Sequence, residues 1–358
     1  MTHGLTYSDT GVDRDKRAES KKALRQLRRT YDYSRYGKIV ELPYGRIFPF
    51  HDCYLDLVIE GIGTKVLLAQ LAGKYDTVGI DGVAMAVNDV IRSGAKPLAI
   101  ADNIHAQVSD PALVQEWMKG VVKGAEESEC VVPSGEIGDV ADLIKGLYEG
   151  KGFDMVFASI GEVAKDRVIT GKHVQPGDVI VGLRSSGVHS NGISLIRKVL
   201  FKQWNGKYEP DAVPDGLTRE VVEEVLEPTK IYVKPFLRLA EKFEVKGAVH
   251  ITGDAYLKFG RISRFSPGTG FEFDNFKPQP IFDLIQTTAK ILGRPITNEE
   301  MFKTFNMGWG FAAILNKTAA DPAIDMLETT GFEPALIGRV VANEGIRILY
   351  KDQEIRLN

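Results

Sequence analysis

The chain has 358 residues, 44% of them hydrophobic and 26% charged, with a net charge of −3. This is ordinary globular composition, enough length for about two domains, and too apolar for a disordered chain. It excludes a whole-molecule field for nucleic acid or an anionic membrane, any apolar run near the roughly 18 residues of a membrane span, and, with only Cys53 and Cys130, a disulfide framework or a four-cysteine zinc site.

The first feature along the chain is basic. Residues 14–29 hold eight Lys or Arg against two acids, and Tyr31, Tyr33 and Tyr36 follow. Basic residues beside aromatics suit single-stranded nucleic acid; the simpler reading, preferred here, is a solvated helix with Ala18, Leu24 and Leu27 turned inward. The first ten residues lack a signal-peptide layout, so a soluble, cytoplasmic protein is expected. A strand is predicted at 55–59, helices at 64–71 and 81–93, a strand near 98–101, a helix at 113–127 and a strand at 155–163. The Gln-Pro-Gly-Asp turn at 175–178 introduces a second series: a strand at 179–183, a helix at 192–201, a polar loop at 205–216, and helices at 218–225 and 233–243. Alternating strands and helices predict an α/β (α+β) layer structure, with a boundary near residue 170 between domains 1–170 and 171–358.

Four segments have the composition of a site. Glu60-Gly61-Ile62-Gly63-Thr64-Lys65 joins a strand to a helix; its glycines permit a tight turn that exposes N–H groups to an anion, with Thr64 and Lys65 behind. It is not a Walker A loop, and a plain turn explains it equally well. Asp81, placed at the expected helix N-cap, and Asn88 lie within about 20° on one helix face but about 10 Å apart along it, so one Mg²⁺ cannot bind both directly. Asp81 is the preferred metal ligand, with capping as its plainer role. Glu136, in a predicted loop, is a second candidate ligand, although a solvated acid is the commoner case. Ser186, His189, Ser190 and Asn191 concentrate hydroxyl, imidazole and amide groups in one turn, and His250 heads a thinner cluster, His250-Ile251-Thr252-Gly253, where a satisfied core histidine is the commoner reading.

In order, the segments Tyr7-Ser8-Asp9-Thr10-Gly11-Val12-Asp13, Gly61-Ile62-Gly63-Thr64-Lys65, Gly79-Ile80-Asp81, Val87-Asn88-Asp89, His189-Ser190-Asn191-Gly192, Pro228-Thr229-Lys230, His250-Ile251-Thr252-Gly253 and Phe305-Asn306-Met307-Gly308 resemble the phosphoribosylformylglycinamidine cyclo-ligases, the aminoimidazole ribonucleotide synthetases, over almost the whole chain. The resemblance implies a two-domain α/β fold, with the N-terminal domain forming a barrel-like sheet in a homodimer. It implies ATP and Mg²⁺ as cofactors and ATP-dependent ring closure of formylglycinamidine ribonucleotide in purine biosynthesis, with neither nucleic acid nor membrane as partner. It also implies that Gly61, Gly63, Thr64, Lys65 and Asn88 lie near the ATP phosphates, and that Asp81, Glu136 and Glu60 hold the metal. Ser186, Ser190 and Asn191 then face substrate, and His189, with His250 second, transfers protons. Lys21 or Lys22 of the basic segment is expected at the phosphates.

Several positions depart from the family pattern: Glu60 replaces the usual Asp, residues 134–141 lack the usual glycine-rich stretch, Asp254-Ala255 replaces glycines, and Pro43-Tyr44-Gly45-Arg46 is glycine-poor. Two alternatives therefore stand beside the cyclo-ligase: another ATP-dependent phosphoryl-transfer enzyme of the superfamily, and a non-catalytic nucleotide-binding dimer.

Overall fold

The computed structural model describes residues 4–357, which form two sheets. The first has six strands: β1 (Val40–Leu42), β2 (Gly45–Phe50), β3 (Cys53–Gly61), β4 (Lys96–Ala106), β5 (Val131–Asp139) and β6 (Phe153–Ala164), in the order β1-β2-β3-β6-β4-β5. Every pairing is antiparallel except β4 with β5. Along β6 the odd-numbered residues from Phe153 to Val163 are buried under the helices, whereas the even-numbered ones are only half-covered or exposed. This period of two marks a sheet with one covered face and one open face.

The helices are α1 (Arg14–Lys21), α2 (Lys65–Ala72), α3 (Asp76–Ile91) and α4 (Pro111–Ser128), then α5 (Ile193–Leu200), α6 (Val221–Leu226) and α7 (Val233–Lys242), followed by further helices that include Pro280–Ile291 and Ala320–Glu328. The covered face carries α3, with α4 outside it. Glycines allow that close stacking: a Cβ on Gly120 would sit 1.9 Å from the Asp76 carbonyl oxygen, and one on Gly82 would strike the Phe157 ring.

The second sheet comprises β7 (Val179–Arg184), β8 (Gly247–His250), β9 (Gly270–Phe273), β10 (Trp309–Leu315), β11 (Pro334–Val341), β12 (Gly345–Tyr350) and β13 (Gln353–Leu357), ordered β13-β12-β9-β11-β7-β10-β8. Its central strands β7 and β10 are buried almost throughout, as continuous apolar runs require. Helices α2 and α3 of the first unit touch α6 and α7 of the second, so the two sheets share one interface. No helix among the described residues is long and apolar enough to cross a membrane.

Three expectations are corrected. Helix α3 begins at Asp76, not Asp81, so Asp81 is mid-helix and fully buried, and it caps nothing. Glu136 lies in edge strand β5, not in a loop. The basic segment turns no apolar side inward: Ala18, Leu24 and Leu27 are all exposed, and α1 passes at Lys22–Tyr33 into a 3-10 helix.

Candidate active site

A cleft of about 480 Å³ opens where the two units meet. Its wall includes Glu60, Gly61 and Gly63 from the end of β3 and the turn after it, and Met85, Asp89 and Arg92 from one face of α3. Ser190 and Asn191 enter from the turn before α5, and Thr252, Gly253, Asp254, Lys258 and Arg261 from the chain after β8. Arg17 and Lys21 of α1 and Arg46 of β2 complete the rim. Six cations line the wall: Arg17, Lys21, Arg46, Arg92, Lys258 and Arg261. The four acids are Asp56, Glu60, Asp89 and Asp254. A space this large with convergent cations suits a phosphate-bearing small molecule.

Asp89 organises the deep end. Its carboxylate accepts the His250 Nδ1–H at 2.8 Å and pairs with the Arg92 guanidinium at 2.7 Å. Burial pushes its acidity the other way, but Arg92, the bond from His250 and nearby Lys258 hold it well below the usual carboxylate range. Burial moves His250 down to about 4, so its ring is neutral at pH 7. With Nδ1–H given to Asp89, its Nε2 carries a lone pair, and that atom is buried without a partner. Lys258 donates to the His250 carbonyl oxygen at 3.0 Å and to the Thr252 hydroxyl, and burial brings its ammonium down to about 8.

Two acids of the wall change state toward neutrality: burial raises Asp56 to about 6, and Glu60 lies higher still. Burial first, and the Asp89 carboxylate second, raise it to about 7 against the pull of Lys258. Because its folded value lies above the ordinary 4.5, its stability contribution is complete at low pH and is lost as pH rises from about 4.5 to about 7. Glu60→Gln is therefore expected to gain stability relative to the parent across that window, measured as the urea midpoint at pH 5, 6, 7 and 8. A constant difference over those pH values contradicts it.

Of the residues singled out from the sequence, Glu60, Gly61, Gly63, Ser190 and Asn191 line the cleft. The Asn191 Nδ2 is buried and unpartnered, which makes it available to a ligand. Gly63 adopts φ +65°, the conformation its turn requires.

The others are engaged away from the wall. Lys65 and Asp81 form a fully buried ion pair at 2.8 Å, and the ammonium also donates to the Glu227 carbonyl. Asp81 further accepts from the Thr229 N–H and hydroxyl and from Ser190. The Lys65 ammonium is thus held off the cleft wall, and Asp81 takes all of these bonds on Oδ1, leaving Oδ2 buried without a hydrogen-bond partner 2.8 Å from that ammonium. Thr64 bonds Ser194. Asn88 clips the second unit, donating to the Lys230 carbonyl and accepting from the Tyr232 N–H. Ser186 donates to the Pro228 carbonyl, and its N–H donates to His189 Nε2. His189 is fully buried at φ +59°, and burial keeps its ring uncharged.

Glu136 shares a row with Asn103, Val156 and Gly61 on the open face. Three strand spacings, about 14 Å, separate it from Gly61. Among the described residues no group of three His, Cys, Asp or Glu is placed to hold a metal. Lys22 pairs with Glu19, and Lys21 is the lysine that reaches the cleft.

The sequence reading gave no role to Asp89, Arg92, Lys258 or Arg261. Asp89 and Arg92 were open to discovery: with Met85 they follow i, i+4, i+7 spacing, which places them on one side of the helix. Lys258 and Arg261 carried no such signal.

Residues 50–163 match the family described as AIR synthase related protein, N-terminal domain, and residues 175–351 match its C-terminal domain. Phosphoribosylformylglycinamidine cyclo-ligase of Pyrococcus furiosus is 37% identical over 359 residues, covering 96% of this chain and 100% of that protein. The Bacillus cytotoxicus protein of the same name is 40% identical over 290 residues, 80% of each. Among solved structures, E. coli HypE superposes with a TM-score of 0.57 at 15% identity over 85% of both chains. T. maritima PurL complexed with ATP gives 0.56 at 14% identity, over 87% of this chain and 44% of that one. At such identities the structural matches speak to fold alone.

Proposed function

This chain belongs to the phosphoribosylformylglycinamidine cyclo-ligase family, and from that premise we propose that its cleft performs the ATP-dependent closure of formylglycinamidine ribonucleotide to aminoimidazole ribonucleotide in purine biosynthesis. The observation that carries the placement is the six-cation cleft wall, which contains six residues picked from the sequence: Lys21, Glu60, Gly61, Gly63, Ser190 and Asn191.

The chemical obstacle is an amide-type oxygen, a poor leaving group. Transfer of the γ-phosphoryl group forms a P–O bond to the formyl oxygen and releases ADP. The ribose-bearing nitrogen then attacks the formyl carbon, and phosphate departs with the C–O electron pair. Arg17, Lys21, Arg92, Lys258 and Arg261 neutralise charge on the phosphates, and Asn191 Nδ2 donates to the bound ligand. His250 lies one contact behind the wall, on the same side of β8 as Ala248, which lines it. The ring is neutral and oriented by Asp89, and its Nε2 is the acceptor we assign to the proton released by the attacking nitrogen, relayed across the wall residues that separate it from the cleft.

A protein-held Mg²⁺ does not fit the donor set expected for it. Asp81 Oδ1 is taken by Lys65, Thr229 and Ser190 and its unpartnered Oδ2 is buried against the Lys65 ammonium, Glu136 lies off the cleft, and Glu60 faces Asp89 and Lys258. No step is assigned to such an ion.

The test is ADP release on adding formylglycinamidine ribonucleotide. Substrate-dependent release with formation of the imidazole supports the reading; tight ATP binding without substrate-dependent release overturns it in favour of a nucleotide-binding dimer.

We further propose a homodimer formed through the open face of the first sheet. Leu57 and Ile59 are 59% and 69% exposed there, and edge strand β5 adds Val131 at 63%. Isolated surface leucines are ordinary, but an apolar face ending at an unpaired strand edge invites pairing. Leu57 and Ile59 also line the cleft, so a partner on this face would close its open side. Light scattering is expected to give twice the chain mass of 39.5 kDa, and Ile59→Arg about half of that. A parent that is already monomeric removes the proposal. A cytoplasmic location suits this metabolism and two cysteines that are both free.

A further inference from the structure

Helix α1 poses a physical problem. It has eight residues and no buried side chain, and the 3-10 helix that continues it to Tyr33 has none either. An isolated helix of that length is marginal in water, and in proteins an apolar face usually supplies what propensity does not. Here no such face exists. Apart from the Asp13 cap, whose carboxylate accepts the Lys16 N–H, the bonds that reach from α1 to the rest of the chain come from two arginines. Arg14 donates to Glu300, to the Lys303 carbonyl and to Thr304. Arg17 donates to Asp254, whose second oxygen accepts from Arg261 at 3.1 Å; Arg14 Nε lies 3.8 Å from Asp254.

Asp254 is therefore one carboxylate facing three arginines, of which Arg14 also pairs with Glu300 at 3.1 Å, and its side chain is only 18% exposed. Its backbone has φ +67°, with Ala255 at +37°. This conformation costs an L-residue about 1 kcal/mol or more, and glycine adopts it freely. A strained residue is retained where its side chain does something glycine cannot. What this one does is fix the end of α1 from which Arg17 and Lys21 enter the cleft wall.

We propose that Asp254 is a positioning residue: an internal anion that latches α1 across the mouth of the cleft and so presets Arg17 and Lys21 for the phosphates of the bound nucleotide. This rests on the cleft being the nucleotide site, but the latch itself is testable without nucleotide. The comparison is amide exchange across residues 14–33 in the full chain, for the parent, Asp254→Asn, Asp254→Gly and Arg17→Gln. Asparagine tolerates φ > 0 and keeps the shape, so the first change removes charge alone; Arg17 is 41% exposed, so its replacement leaves the core intact. Exchange is expected to rise about tenfold in each single variant, the scale of a charge-assisted bond, and no further in Asp254→Asn combined with Arg17→Gln. Salt at about 0.5 M should loosen α1 more in the parent than in Asp254→Asn, which keeps only the Arg14–Glu300 pair. Unchanged exchange in both Asp254→Asn and Arg17→Gln, or additive effects in the pair, overturns the latch. With nucleotide, Asp254→Asn is expected to raise the KM for ATP several-fold with kcat retained, and Asp254→Glu to restore it partly. If exchange responds but KM does not, the nucleotide reading of the cleft fails while the latch stands.

Discussion

Asp81→Ala is expected to lower the unfolding free energy by about 3–5 kcal/mol, read from urea titration at pH 7. The substitution leaves the Lys65 ammonium fully buried with the Glu227 carbonyl as its one remaining bond, and strips the Thr229 N–H and hydroxyl of their acceptor. It removes the pin between α2, α3 and the segment after α6, which joins the two units. Removing both charges should be milder: Lys65→Met with Asp81→Leu eliminates the desolvation cost together with the attraction, and is expected to recover much of the loss. A loss below about 1 kcal/mol in Asp81→Ala would contradict the structural assignment. If Asp81 were instead a metal ligand, Asp81→Asn would leave stability unchanged and shift the Mg²⁺ dependence of ADP formation.

Asp89→Asn is expected to reduce kcat by about a hundredfold or more while the fold persists. A carboxylate accepts from both Arg92 and the His250 ring, fixing the imidazole with its lone pair on Nε2. An amide presents one acceptor and one donor. It allows the ring to turn over, putting the proton on the nitrogen meant to receive one, and leaves Arg92 uncompensated against Lys258. Steady-state ADP release at saturating ATP and substrate measures the effect. His250→Gln should cost a similar factor, and the two changes together little more than either, because they disable one unit. A kcat within about threefold of the parent removes Asp89 and His250 from the chemistry.

The pairing of a hundredfold kinetic effect at Asp89 with a stability effect at Asp81 separates two acids eight residues apart on one helix. Helical geometry alone leaves them ambiguous. Seven residues bring Asn88 back over Asp81, which made that pair attractive as a ligand set, yet both side chains point into the interface between units. The active side of α3 is the stripe of Met85, Asp89 and Arg92, displaced round the cylinder toward the end of β3. Deciding which stripe faces a cleft requires knowing what packs on either side of the helix.

Sequence by itself determined the alternation of strands and helices, the tight turn at Gly61 and Gly63, the second turn bearing Ser190 and Asn191, and the family. These depend on short-range patterns: period two or 3.6, glycine's backbone freedom, and dense polar turns. Tertiary structure alone decided which charged groups are spent and which are available. Lys65 beside two glycines reads as a phosphate ligand until Asp81, sixteen residues on, is seen to neutralise it. Glu136 reads as a ligand until sheet register carries it three strands away. Lys258 and Arg261 belong to no motif and reach the site because β8 delivers the following chain beside α3. Electrostatic partnership is set by distances across the fold, and the attraction between buried charges outweighs any local preference that sequence spacing records.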